Sequence, residues 1–174
     1  MKTYAIPKGR NYSREWWRKR LLWKPTGMRA ILRFDHSMIY ESENDGWQKL
    51  CGFSRGHHHD NSFRFVWRCW DGFFEIGAYQ YTFGVRSSKL IWQIPIETIK
   101  KLLPVIYLEI DLEVTPLAIY RIKVGKDFFI SMETMQTPTS PGFGYTLRPY
   151  YEDPKTNPTT APHDIKFKME VEYF

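Results

Sequence analysis

The stretch Phe63-Arg64-Phe65-Val66-Trp67-Arg68-Cys69-Trp70-Asp71-Gly72-Phe73-Phe74-Glu75-Ile76-Gly77-Ala78-Tyr79-Gln80-Tyr81 decides the fold class. Phe63, Phe65, Trp67 and Cys69 alternate with Arg64, Val66 and Arg68, the two-residue period of a strand with two different faces. Asp71-Gly72 then separates two aromatic-rich runs, and Asp-Gly between such runs is the strongest short-range signal for a two-residue hairpin turn. The return strand is predicted over 73–81. The same period extends in both directions. Ala30, Leu32 and Phe34 alternate with Ile31, Arg33 and Asp35, and further strands are predicted over 89–94, 105–113, 117–124, 127–133, 144–150 and 164–174. Gly125-Lys126 marks a second hairpin turn. In the last strand Ile165, Phe167, Met169, Val171 and Tyr173 alternate with Lys166, Lys168, Glu170 and Glu172, so one face is buried and the other wet. Only 97–103 reads as a helix, ended before Pro104. About ten strands with almost no helix predict an all-β chain, an antiparallel β-sandwich or jelly roll, and exclude an α/β architecture.

A chain of 174 residues is one domain's worth of sequence and long enough to bury a core without disulfides or metal. Aromatic residues make up 17% of it, which suits pleated, half-buried surfaces. The net charge of +6 is unevenly spread. Residues 1–33 hold ten Lys and Arg against the single acid Glu15, leaving the remainder net acidic. The reading is a basic Trp/Arg-rich arm over 1–26 and a β-sandwich domain over 27–174, the arm docking on something anionic or on a neighbouring subunit. Trp16, Trp17, Arg18, Arg20 and Trp23 are its candidate binding residues, because three tryptophans among arginines are not left in water without a partner. There is no apolar core of a secretory signal and no run long enough for a membrane span. Cys51 and Cys69 read as two free, buried thiols.

Three constellations carry candidate chemistry. His57-His58-His59-Asp60 offers metal-ligand types, but neighbours in an extended run point to opposite faces, so no metal and no cofactor are expected; His163-Asp164 would join such a site only if the fold brought it near. Arg64, Trp67, Arg68, Glu75, Tyr79 and Tyr81 sit around the first hairpin, where rings beside arginines suit sugars: apolar faces stack and hydroxyls take hydrogen bonds. The competing reading makes Trp67 and Tyr79 core and the arginines an outer face. Glu109, Asp111 and Glu113 share one strand face at a spacing that crudely meets glycoside hydrolysis, and equally describes any acidic outer face. No nucleophile elbow, phosphate loop, dinucleotide fingerprint or zinc Cys pair is present, so no catalytic residue is assigned.

Lys49-Leu50-Cys51-Gly52-Phe53-Ser54, His58 through Arg68, Tyr145-Thr146-Leu147-Arg148-Pro149-Tyr150-Tyr151 and Ala161-Pro162-His163-Asp164-Ile165 carry a resemblance, joined by Ile6-Pro7-Lys8-Gly9 and Phe34-Asp35-His36-Ser37. Through them the chain resembles a family of small β-sandwich proteins encoded by Bacteroidetes and by their tailed phages. It departs from that pattern at Tyr151-Glu152-Asp153, where the family has glycines. A looser similarity, by fold class, is to concanavalin A-like sandwiches that bind or cleave polysaccharides. The absent catalytic motifs, the Trp/Arg arm, the missing signal and this resemblance together point to a non-enzymatic structural component of a virion, associated with capsid or tail, docking through the arm and located in the particle or the host cytoplasm. Its partners would be other protein subunits in a homo- or hetero-oligomer. The alternative is a carbohydrate-binding or carbohydrate-active sandwich with a glycan partner, using His58, His59, Arg64, Trp67, Arg68, Tyr79, Arg148, His163 and Asp164. Nucleic-acid binding by the arm ranks below both, given the acidic body.

Overall fold

Alternating side chains sort this chain into two layers. The computed structural model describes residues 1–13, 20–40, 46–114, 117–134, 142–151 and 160–174. They form two six-stranded antiparallel sheets packed face to face in a jelly-roll-like sandwich. The first sheet runs β1 (Lys2–Ile6), β12 (Ile165–Tyr173), β3 (Gly27–Arg33), β8 (Val105–Val114), β9 (Leu117–Val124) and β10 (Asp127–Thr134). The second runs β2 (Leu21–Trp23), β11 (Phe143–Leu147), β4 (Gln48–Ser54), β5 (Asn61–Trp70), β6 (Phe73–Thr82) and β7 (Val85–Pro95). One short helix, α1 (Ile96–Leu102), follows β7 and stops at Leu103, which takes a left-handed conformation before Pro104.

The core lies between the sheets. Phe63, Phe65, Trp67 and Cys69 of β5 point inward, as their alternation predicts, and meet Leu32, Leu108, Ile110 and Tyr120 from the first sheet in one buried cluster. Phe65 and Tyr120 touch edge to face at 5.5 Å, and Trp67 stacks on Phe74 at 6.0 Å. Cys51 and Cys69 are both free and buried.

The hairpin at Asp71-Gly72 forms as read, both residues having positive φ. A second one at Phe83-Gly84, with φ of 49° and 77°, escapes sequence reading because a bulky residue disfavours that conformation. It starts β7 at Val85, four residues before the predicted strand. The N-terminal 26 residues are drawn into the sandwich where they are described. β1 pairs with β12 at the edge of the first sheet, burying Tyr4 and Ile6, and β2 pairs with β11 at the edge of the second. Edge strands this short carry too few alternations to register as a period. Trp16, Trp17 and Arg18 lie outside the described residues.

Candidate functional site

The residues of β5 and β6 that do not enter the core line up on the outer face of the second sheet. Arg64 pairs with Tyr79, and Ser62 with Tyr81, so each pair projects from the same side. On the far side of β6, Arg86 stands opposite Tyr81. On the near side Gly52 stands opposite Arg64. A Cβ at Gly52 would lie 2.7 Å from Cγ of Arg64 and 2.1 Å from the Phe63 carbonyl oxygen. Only glycine lets the arginine lie across β4 here. A bulge between Lys49 and Cys51 resets the register so that Lys49 also faces outward, opposite Val66.

Loops raise walls around this floor. Tyr12 and Tyr150 form an isolated bridge with rings 4.8 Å apart, and the segment Leu147-Arg148-Pro149 closes the same side. His58 and His59 close another. The Nδ1 of His58 lies 2.6 Å from the Tyr145 hydroxyl, which also accepts the His58 backbone N–H at 3.3 Å. His59 stacks on Tyr81 with centroids 5.3 Å apart. The result is a cleft of about 360 Å³, within the range of small-ligand sites. Next to it on the same face, Trp47 lies over Gly77, where a Cβ would come within 2.9 Å of the indole.

The charge of this cleft is its defining property. Lys49, Arg64, Arg86 and Arg148 line it together with His58 and His59, and among the described residues no carboxylate does. Burial, with Arg64 and Arg86 nearby, pulls the Lys49 ammonium down to about 8. Its Nζ sits 5.2 Å from the Tyr79 ring centroid and 5.3 Å from that of Tyr150. Burial also lowers Arg64, to about 10, which leaves it charged at neutral pH. Burial and a hydrogen bond with Tyr81 push the Tyr79 phenol up to about 12, so it holds its proton. Arg148 donates to the Tyr4 hydroxyl at 3.2 Å.

Of the residues proposed from sequence, the fold brings His58, His59, Arg64, Tyr79 and Arg148 together in this cleft. Trp67 is 1% exposed and belongs to the core, because its odd position on β5 points inward. Arg68 is on the outer face but is held by Glu75 at 2.5 Å and stacked on Trp47 at 4.1 Å, outside the cleft lining. His163 and Asp164 lie elsewhere: Nε2 of His163 contacts the Ser37 carbonyl oxygen at 2.8 Å, and Asp164 accepts the Lys8 backbone N–H at 2.9 Å. They precede β12, which belongs to the other sheet. Glu109 and Asp111 form an ion-pair ladder with Arg29 and Arg121 on the outer face of the first sheet. Arg20 and Trp23 flank or lie in β2 and are exposed. Among the described residues no three His, Cys, Asp or Glu side chains converge as a metal site. Sequence reading missed Lys49, Arg86, Tyr12 and Tyr150. The Phe83-Gly84 turn would have supplied Arg86 by register, whereas the bulge hides Lys49.

No protein-family model and no curated protein matches the sequence. Solved structures do match the fold. The alginate lyase Aly36B, as a mutant in complex with an alginate trisaccharide, aligns over 98% of this chain and 80% of its own, with TM-score 0.58 and 12% identity. The same lyase in a second structure aligns over 98% and 79%, with TM-score 0.54 and 12% identity. At that identity the likeness is one of fold: these alginate lyases share the sandwich architecture described here.

Proposed function

We propose that this protein is a carbohydrate-active sandwich whose cleft binds a uronic-acid polysaccharide of the alginate class and cleaves it by β-elimination. The observation that carries the reading is the convergence of Lys49, Arg64, Arg86 and Arg148 on one aromatic-walled cleft in which no carboxylate is described. Such a site repels cationic surfaces and attracts a chain bearing a carboxylate on every ring. The alginate lyases that share its fold support the same ligand class. The virion reading has no counterpart in these comparisons, and part of the arm on which it leaned is paired into the sandwich itself.

The chemistry follows from the chain's own groups. Arg64 offers the fork of donors that matches a carboxylate and neutralises the charge growing on it as the adjacent C–H is broken. Lys49, held near 8, keeps about a tenth of its population as free amine at pH 7 and serves as the base. Its Nζ takes the proton from the sugar C5, the C–H electrons become the C4–C5 double bond, and the C4–O bond breaks with its electrons on the departing oxygen. Tyr79, protonated across the neutral range, gives that oxygen its proton and recovers one from solvent. Lys49 returns its proton to solvent.

The test is incubation with alginate while following the ultraviolet absorbance of the new double bond. Activity should rise with pH through about 8 and vanish in Lys49→Met and in Arg64→Gln. Absence of absorbance with alginate and with other polyuronates would overturn the lyase reading. Full activity in Lys49→Met would remove Lys49 as the base.

A further inference from the structure

The outer face of the second sheet does not end at the cleft. Tyr145 donates its backbone N–H to Oγ of Ser54 at 3.2 Å, while Leu147 stands opposite Gly52. Counting by twos therefore puts Phe143, Tyr145 and Leu147 of β11 on the same face as Arg64. Trp23 stands opposite Phe143, and Leu21 opposite Tyr145, so β2 continues that face by one more strand. Trp23 is 77% exposed and Phe143 51% exposed. Two exposed aromatic rings on paired strands, beyond the wall of a charged cleft, give the face a second apolar surface next to the site.

We propose that a polysaccharide chain seated in the cleft runs outward across β4 and β11 and stacks on a platform made by Trp23 and Phe143, with Lys24 reading a further carboxylate there. This rests on the cleft being a polysaccharide site. The platform is built rather than loose. The Trp23 indole rests against Gly142, where an added Cβ would lie 3.3 Å from the ring, and the Lys24 N–H donates to the Gly142 carbonyl oxygen at 2.8 Å. The Nζ of Lys24 lies 5.9 Å from the Trp23 ring centroid. A stacked ring with a cation at its border suits a uronate, whose apolar face and carboxylate lie on one residue. Between cleft and platform the face carries the hydrogen-bonded pair His58 and Tyr145. The histidine loop is tied down there, the Gly56 N–H donating to the Phe143 carbonyl oxygen at 2.9 Å.

The spacing fits as well. Strands lie ~4.8 Å apart, close to the advance of one sugar ring, so a chain laid across the strands places about one ring per strand. From Arg64 on β5 to Trp23 on β2 is three strand steps, about 14 Å. A chain of about three rings centred on Arg64 falls short of the platform, and one of about six rings reaches it.

The experiment measures calorimetric affinity for alginate oligomers of increasing length, at low and high salt, in the Lys49→Met background so that no oligomer is cleaved, with a platform that is wild type, Trp23→Ala or Phe143→Ala. The wild-type platform should gain affinity on passing from about three rings to about six, and Trp23→Ala should lose about tenfold for the long oligomers only. That loss should persist at high salt, which weakens the cleft's own contribution. Exposure of Trp23 means the variant should fold, and an unchanged melting temperature checks it. If long and short oligomers bind equally with the wild-type platform, or the platform variants keep its affinity for long ones, the platform is not a sugar subsite while the cleft reading stands. If the protein with the wild-type platform binds no uronate at any length, the cleft reading itself fails and takes this one with it. Loss of self-association in Trp23→Ala, with sugar affinity unchanged, would assign the face to a second copy and overturn the proposal.

Discussion

Replacing Lys49 by methionine should make the protein more stable at neutral pH, although it removes a charged residue from the site. Lys49 titrates near 8 in the folded protein against its ordinary 10.5. Its folded-state pKa is therefore depressed, and the folded state holds the proton less tightly than the unfolded chain. Below pH 8 both states are protonated and the cost of burying the ammonium is fully present. Between 8 and 10.5 only the unfolded state keeps the proton, so stability rises with pH and the cost fades. A shift of this size corresponds to about 3 kcal/mol. The ammonium also rests over the rings of Tyr79 and Tyr150, contacts worth about 0.5–1 kcal/mol each that methionine forfeits. The net gain expected for Lys49→Met is about 1–2 kcal/mol at pH 7, shrinking to nothing or reversing by pH 10. Urea unfolding of both proteins from pH 6 to 9 measures it, and the difference between them cancels the titrating groups that do not touch Lys49. A variant less stable than wild type at pH 7, or a difference that does not change with pH, would refute the argument that the cleft holds this lysine at a cost to the fold.

Substitutions elsewhere in the sandwich probe its packing and its cleft. Gly52→Ala forces a Cβ against the Phe63 carbonyl oxygen and Arg64, and should cost about 3 kcal/mol in denaturant unfolding because the central strand has no room to shift. Trp67→Ala empties the middle of the core and should cost about 3–5 kcal/mol; by contrast Trp23→Ala should stay within about 0.5 kcal/mol, the same measurement serving both. Tyr145→Phe removes the hydroxyl that holds His58 and should weaken uronate binding several-fold while costing about 1 kcal/mol of stability.

The two-residue period made most of the fold legible. β5, β6, β8, β9, β10 and β12 each carry four or more alternations, and the β5–β6 and β9–β10 hairpins are marked by glycine at the turn. β4 hid because Leu50, Cys51, Gly52 and Phe53 are all buried, which erases alternation, and because its bulge shifts the parity midway. β1 and β2 hid because they are short. The site was half visible. Arg64 and Tyr79 could be named, since opposite residues on a recognised hairpin share a face. Lys49, Tyr12 and Tyr150 could not, because they reach the cleft through pairings between segments far apart in sequence. Trp67 shows the converse: the hairpin was right, and parity alone sends that side chain inward. The histidine cluster joined the site by stacking on Tyr81 and bonding to Tyr145, contacts that depend on strand order.

Titration calorimetry decides whether the cleft takes a polyanionic sugar. The Lys49→Met protein, which binds without cleaving, and the same protein carrying Arg64→Gln would be titrated with an alginate trisaccharide and with a neutral trisaccharide, each at low and high salt. The uronate alone should bind, more weakly as salt rises, with the affinity and much of its salt dependence lost in Arg64→Gln. Equal affinity for the neutral sugar, or uronate binding that neither salt nor the loss of Arg64 disturbs, would contradict a polyanion-binding cleft.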